Sequence, residues 1–289
     1  MTQNIDSTVE NQEAIVPSLR LIPFHFPNVP NVSCAFQMRE TASLEPNANP
    51  ATGPHNDATL RAYPLSHGNI SLDIVGELSG HDPSLRQQAL ANRRAIASSL
   101  GVADWCEMLQ VHGNIMHFEP EAQCPDSPST VQGDGFATDQ AHRALMIKTA
   151  DCQPVLIAHL SGQHIAAFHI GWRGNRIQFL GHGIDAFCRR YNLDPRDLVA
   201  VRGPSLGPDA AQFTNFDAEW GPDFAPYFDQ AKQTMNLWQL THHQLCAAGL
   251  LPHNIYSLDL CTLSLPNAFF SYRRERHTGR QASFIWIRS

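Results

Sequence analysis

Hydrophobic positions along the chain change their period several times, and each change marks an element. From Ser84 to Leu100, SLRQQALANRRAIASSL carries Leu85, Leu90, Ala91, Ile96 and Leu100 at helical spacing and stops before Gly101, which predicts a helix. Two short apolar runs follow, ALMIKTAD (Ala144 to Asp151) and PVLIAHL (Pro154 to Leu160), and HIAAFHIGW (His164 to Trp172) comes after a Ser-Gly turn. Short runs closed by Gly and polar turns predict strands, and Pro154 argues against one long helix. Past Gly174, NRIQFLGHGIDAFCRRYNL puts Ile177, Leu180, Ile184, Phe187 and Cys188 on one helical face, and Asp194-Pro195 ends it. LVAVRGPSLGP predicts a strand running into a turn, and Leu237 to Leu250 a helix with a Gly C-cap. The terminal FFSYRRERHTGRQASFIWI predicts two strands joined by a basic Thr-Gly turn.

Breaker-rich stretches separate these elements. Residues 1–18 form a polar leader, 40–67 a Pro- and Asn-rich irregular insertion, and Cys124 to Gly135 a loop; AEWGPDFAPYFDQ is an irregular aromatic loop. No repeat and no convincing linker divides the rest. The expected architecture is therefore α/β or α+β, as a single domain over residues 19–289.

Composition narrows the class. Across 289 residues, 20 Lys+Arg against 27 Asp+Glu give a formal charge of −7, which argues against a nucleic-acid polymer as partner. With 43% hydrophobic and 16% charged residues the chain is globular rather than disordered. Seven Cys, an odd number with no CxxC, do not form a disulfide framework. The acidic, polar N-terminus lacks the features of a secretory signal, and no apolar run approaches the ~18 residues that cross a bilayer. The expected setting is a reducing cytoplasm, with no membrane partner. Oligomeric state is not legible.

Against this background the 15 His and 7 Cys are a surplus of ligand-type residues. Three local patterns place one of them beside a glycine or at a strand edge: His112 in QVHGN, Cys152 in TADCQPVL and His169 in FHIGWRGN. Singly, each is better explained as a turn His or a small buried Cys. Together, two imidazoles and one thiolate are a three-ligand zinc set with the fourth position open. Without a metal, the same Cys and His are a nucleophile and base. GWRG adds a flexible backbone, the Trp172 indole and the Arg173 guanidinium in one loop, a combination suited to a flat ring beside an anion. SYRRERHTGR holds Arg273, Arg274, Arg276 and Arg280 in an otherwise acidic chain, either a solvated hairpin tip or a site for a phosphate or carboxylate.

QVHGN, TADCQPVL, FHIGWRGN, RGPSLGP and the terminal FFSYRRERHTGRQASFIWI stand in the order and approximate spacing of the proteins once labelled multicopper polyphenol oxidases, or laccase-domain proteins. The chain resembles that family from about Gly68 to Ile287, including the helical Asn92 to Arg94. The resemblance implies one α/β domain, a layered α+β sandwich of mixed sheets flanked by helices, with a core similar to a toxin deamidase. It further implies a zinc held by His112, Cys152 and His169, and purine nucleoside phosphorylase activity accompanied by adenosine deaminase and methylthioadenosine phosphorylase activities. Purine nucleosides and phosphate are then the partners. On that reading Cys152, His169 and Arg173 serve catalysis, Trp172 walls the purine, and Arg273, Arg274 and Arg280 join Arg173 in holding phosphate. The older oxidase label fits the residues less well, because several copper ions need clustered HxH pairs that are missing here, whereas one thiolate and two imidazoles hold one zinc. The chain also departs from the family: Asp209 and Ala210 stand where paired Cys are common, and Gln212 where an acid is usual. Alternatives are thus a metal-free Cys–His hydrolase or amidase, and a catalytically weakened zinc-binding protein.

Overall fold

The structure, a computed structural model, describes residues 19–39, 68–73 and 83–288. The leader and the insertion expected at 1–18 and 40–67 lie outside the described residues. In chain order the strands are β1 (Leu21–Phe24), β2 (Val32–Gln37), β3 (Trp105–Cys106), β4 (Met116–Phe118), β5 (Gly135–Thr138), β6 (Ala144–Thr149), β7 (Gln153–His159) and β8 (Ile165–Ile170). They continue as β9 (Leu198–Arg202), β10 (Phe228–Asp229), β11 (Thr234–Met235), β12 (Ile255–Ser257) and β13 (Gln281–Ile287). The helices are α1 (Pro83–Leu100), α2 (Trp172–Arg176), α3 (Phe179–Tyr191), the single turn α4 (Phe216–Glu219) and α5 (Leu237–Ala247).

Two mixed sheets form the body. One runs β1-β2-β13-β6-β3 and the other β12-β9-β7-β8-β5-β4, each mostly antiparallel with parallel pairs at its margins. The strands read as near-continuous apolar runs because both faces of each sheet are covered. On β6, Leu145 and Ile147 face Leu156 and Val201 of the other sheet, while Ala144 and Met146 face Ile96 of α1. On β7, Val155 and Ile157 turn outward onto Phe187 of α3 and Leu245 of α5. The result is four layers, helix, sheet, sheet and helices, as one domain of the mixed α/β kind expected from the pattern.

Gly203, just past β9, packs against the other sheet. A Cβ there would lie 2.8 Å from Pro154 Cγ and would collide with the ring of Phe36, which is buried on β2. Gly203→Ala is expected to cost about 1–3 kcal/mol by overpacking, read as a lowered midpoint in denaturant with unchanged slope.

Three predicted elements come out differently. Residues 175–188 are not one helix: Gln178 adopts φ 55 and separates α2 from α3, which leaves Ile177 41% exposed instead of on the apolar face. The terminal segment holds one strand, β13, rather than two. Before it, the Gln281 amide takes the place of a strand partner, accepting from Phe270 N and donating to Phe270 O. The buried face of α1 is Ala89, Asn92, Arg93, Ile96 and Ala97, rotated from the predicted stripe because Asn92 and Arg93 hydrogen-bond the backbone of Asn69 and Ile70. The aromatic segment 218–230, expected as an irregular loop, holds a 3-10 helix at Pro222–Tyr227 and the short strand β10, and it supplies Trp220 to a satellite core with Phe213, Leu237 and Trp172.

Candidate metal centre and cavity

The chain crosses from one sheet to the other between β6 and β7, and this crossing builds the site. Asp151 makes the corner with φ 99, an unusual value for a residue with a Cβ. Its carboxylate accepts from Thr262 Oγ1 (2.7 Å) and Arg273 N (2.6 Å), and its carbonyl from Leu206 N (2.9 Å), so three distant segments are tied to the corner. Cys152 follows at the start of β7. His169 lies beside it near the end of the antiparallel neighbour β8, paired in register with Pro154. His112 comes from the loop between β3 and β4, which also passes between sheets.

The three predicted ligand atoms all lie within 4.8 Å of one another, with Cys152 Sγ 3.7 Å from His112 Nε2. Gly171 permits this closeness, since a Cβ there would sit 3.0 Å from both the Cys152 sulfur and His112 Cδ2. Behind them stands Asp134, fully buried. It accepts from His169 Nδ1 (2.8 Å), His112 N (2.9 Å), Gly113 N (2.7 Å) and Val111 N (3.3 Å). A carboxylate accepts only, so the His169 proton is on Nδ1 and Nε2 is left for the centre. Those backbone donors also hold His112 at φ 58. Asp134 is the residue behind the cluster that the sequence alone did not point to: it lies in a segment recognised only as a loop, and its one local signal is the Asp-Gly that opens β5.

Charge follows from this geometry. Burial pushes the Cys152 thiol up, but the His169 charge and the His112 and His169 hydrogen bonds outweigh it and bring it down to about 6. Burial pushes His169 down, yet Cys152 and Asp134 together raise it to about 9. Burial likewise raises Asp134, while the His169 contact and the backbone donors lower it further, leaving it ionised. In the metal-free protein the pair is a thiolate beside an imidazolium.

The centre opens into a cavity of about 690 Å³. Of the predicted anion binders, Arg173, Arg273 and Arg280 line it, and so does Arg276. Arg173 lies over the Trp172 ring (4.6 Å), and Arg273 donates to Gln212 O (2.8 Å) and stacks near Phe213. Arg280 Nη1 donates to the carbonyls of Thr278 and Gly279. Arg274 is not brought there: its guanidinium is spent on Thr262 O, Leu263 O, Phe269 O and the Glu275 carboxylate. Trp172 forms part of the wall, as expected. The departures at Asp209 and Gln212 stay outside it, Asp209 being paired with Lys232 at 2.7 Å. Lys148 and Asp73, unpredicted, line it as well. All seven cysteines are free, and among the described residues no helix is long and apolar enough to cross a membrane.

Known proteins resemble the chain over most of its length. A purine nucleoside phosphorylase of Haemophilus influenzae is 30% identical over 258 residues, 85% of this chain and 99% of the relative. The purine nucleoside phosphorylase YfiH of Escherichia coli is 35% identical over 192 residues, 63% of this chain and 73% of the relative. Among solved structures, Neisseria meningitidis protein NMB0706 superposes with a TM-score of 0.72 at 25% identity, over 93% of this chain and 99% of that one. The model of one family, described as multi-copper polyphenol oxidoreductase laccase, matches residues 67–288, which include all three ligand-type residues, Asp134 and the cavity arginines. The chain belongs to that laccase-like family.

Proposed function

We propose that the cavity is the active site of a zinc-dependent purine nucleoside phosphorylase. The observation that carries this reading is the His112, Cys152 and His169 cluster opening into one cavity with Arg173 and Arg273, in a chain whose relatives bear that name over most of their length. The donor set fits a single zinc: two imidazoles and a thiolate suit a borderline-soft ion, and Asp134 fixes one ring in the way metal-binding His residues are usually fixed. It fits a set of copper ions poorly, since one such group is found among the described residues. When bound, zinc supplies a Lewis acid with one open position and no redox chemistry.

The chain's own residues do the rest. Arg173 and Arg273 are packed against Trp172 and Phe213, so their forks are oriented before phosphate arrives. Trp172 walls the substrate, and Arg280 adds positive charge. Phosphate held there forms its bond to the anomeric carbon as the bond to the purine breaks. Phosphorolysis of methylthioadenosine and deamination of adenosine are secondary activities within the same reading, and a reducing cytoplasm is its natural setting.

Zinc-loaded protein incubated with inosine, adenosine or methylthioadenosine is expected to release free base and pentose 1-phosphate only when phosphate is present. Release without phosphate would make it a hydrolase, and full zinc with no turnover would make it a binding protein. One observation favours a second reading: Asp134, His169 and Cys152 stand in line as orienting acid, base and nucleophile, which suits a metal-free hydrolase or amidase. A chelator would then leave activity intact, whereas alkylation would abolish it.

A further inference from the structure

One buried charge at the cavity wall has no part in holding zinc or phosphate. Lys148 stands on β6, on the face shared with Ala144 and Met146, and its side chain is only 6% exposed. Its ammonium lies 2.5 Å from Asp73 Oδ2 and 3.9 Å from Glu107 Oε1. Glu107 already has a cation, the fully buried Arg93 at 2.8 Å, and also accepts from Trp105 Nε1 and Ser129 N. The Lys148 backbone is bracketed by one side chain: Gln110 accepts from its N (2.8 Å) and donates to its O (2.7 Å), two residues before His112. The ammonium is thus fixed relative to the metal centre. Desolvating an ammonium is costly, and the Asp73 pair offsets that only in part.

The pair faces the cavity with capacity to spare. An ammonium has three donors, and one is taken by Asp73. Asp73 Oδ1 has no hydrogen-bond partner among the described residues. A second anion is a poor match, because the Asp73 carboxylate would repel it. A donor beside an acceptor is instead the complement of a neutral edge that presents an acceptor beside a donor, as O6 and N1–H of a 6-oxopurine do.

We propose that Lys148 and Asp73 read that edge, Lys148 donating to O6 and Asp73 Oδ1 accepting from N1–H, so that Lys148 is a catalytic residue and the pair favours 6-oxopurine over 6-aminopurine nucleosides. This rests on the phosphorolysis reading. A hydrogenphosphate oxygen forms the bond to C1′, the C1′–N9 bond breaks with its electron pair passing to the purine, and the hydrogenphosphate proton ends on the released base. Negative charge spreads onto O6 while the base leaves, and a desolvated, prepositioned ammonium stabilises it there without giving up its own proton. Adenine carries an amino group at that position and gains no such stabilisation.

The test uses a matched pair of substrates in zinc-loaded protein at saturating phosphate. Guanosine loses an anionic base, whereas 7-methylguanosine, already cationic in its ring, loses a neutral one. Lys148→Met is expected to lower kcat for guanosine by about 100-fold, the scale of losing one prepositioned donor, and for 7-methylguanosine by less than about fivefold. Asp73→Asn is expected to raise KM for guanosine with a smaller change in kcat. If Lys148→Met does not fold, the double variant Lys148→Met/Asp73→Asn, which leaves neither charge unpaired, carries the same comparison. Equal losses on both substrates, or no loss on guanosine, would overturn the inference while leaving phosphorolysis in place. Failure of the unmodified protein to cleave either nucleoside would overturn both.

Discussion

Replacing Cys152 with serine is expected to remove the metal and the activity together. The thiolate is the one soft ligand of the set, and its sulfur lies 3.7 Å from His112 Nε2 and within 4.8 Å of the other ligand atoms. Loss of a residue that merely orients a ligand costs about 10–100-fold in affinity, so loss of the ligand itself is expected to cost at least about 100-fold. Zinc per chain, measured after dialysis against a competing chelator, should fall to near zero, and nucleoside cleavage with it. The same residue gives a pH signature. In metal-stripped protein the thiol is held down to about 6, so it is largely thiolate by pH 7, where an ordinary cysteine is still mostly protonated. Alkylation by iodoacetamide should therefore level off by about pH 7 in stripped protein, and added zinc should suppress it. A rate still climbing through pH 8 would show that His169 does not stabilise the thiolate. Loss of activity with zinc retained would favour the nucleophile reading instead.

Much of this candidate centre is legible in the chain because each proposed ligand sits in a short, self-announcing motif. Cys152 lies between two apolar runs, and His112 and His169 stand close to glycines, so their local geometry follows from nearby residues. What could not be read is long-range. Nothing in ALMIKTADCQPVL says that its two strands belong to different sheets; both are mostly apolar because helices cover the outer faces. The Asp151 corner needs a backbone conformation that propensity alone would assign to glycine. The arginine cluster was visible as charge, but only tertiary contacts turn Arg274 onto carbonyls and leave Arg276 at the cavity. Lys148 was hidden for the opposite reason: one lysine in a strand-like run is unremarkable until Asp73 is brought to it from 75 residues away.

Asp134→Ala is expected to be the most damaging substitution for stability. The carboxylate is fully buried and gathers four N–H donors, three from the backbone around His112 and one from His169. Alanine leaves those donors without their acceptor and leaves the buried His169 imidazolium without its anion. Removing one partner of a buried charged pair costs about 3–5 kcal/mol, which for a domain of this size lowers the thermal midpoint by roughly 6–20 °C. Asp134→Asn separates the structural from the chemical part. Its amide oxygen still accepts from some of these donors, but its amino group opposes the others and it carries no charge, so the chain should fold while His169 loses the partner that fixes its proton on Nδ1. Zinc affinity of the Asn variant is then expected to drop by about 10–100-fold, measured against a competing chelator. Its His169 should titrate below the value of about 9 that Cys152 and Asp134 together maintain, as read by NMR of metal-free protein. A zinc affinity unchanged in Asp134→Asn would mean that packing alone orients the His112 loop and the His169 ring.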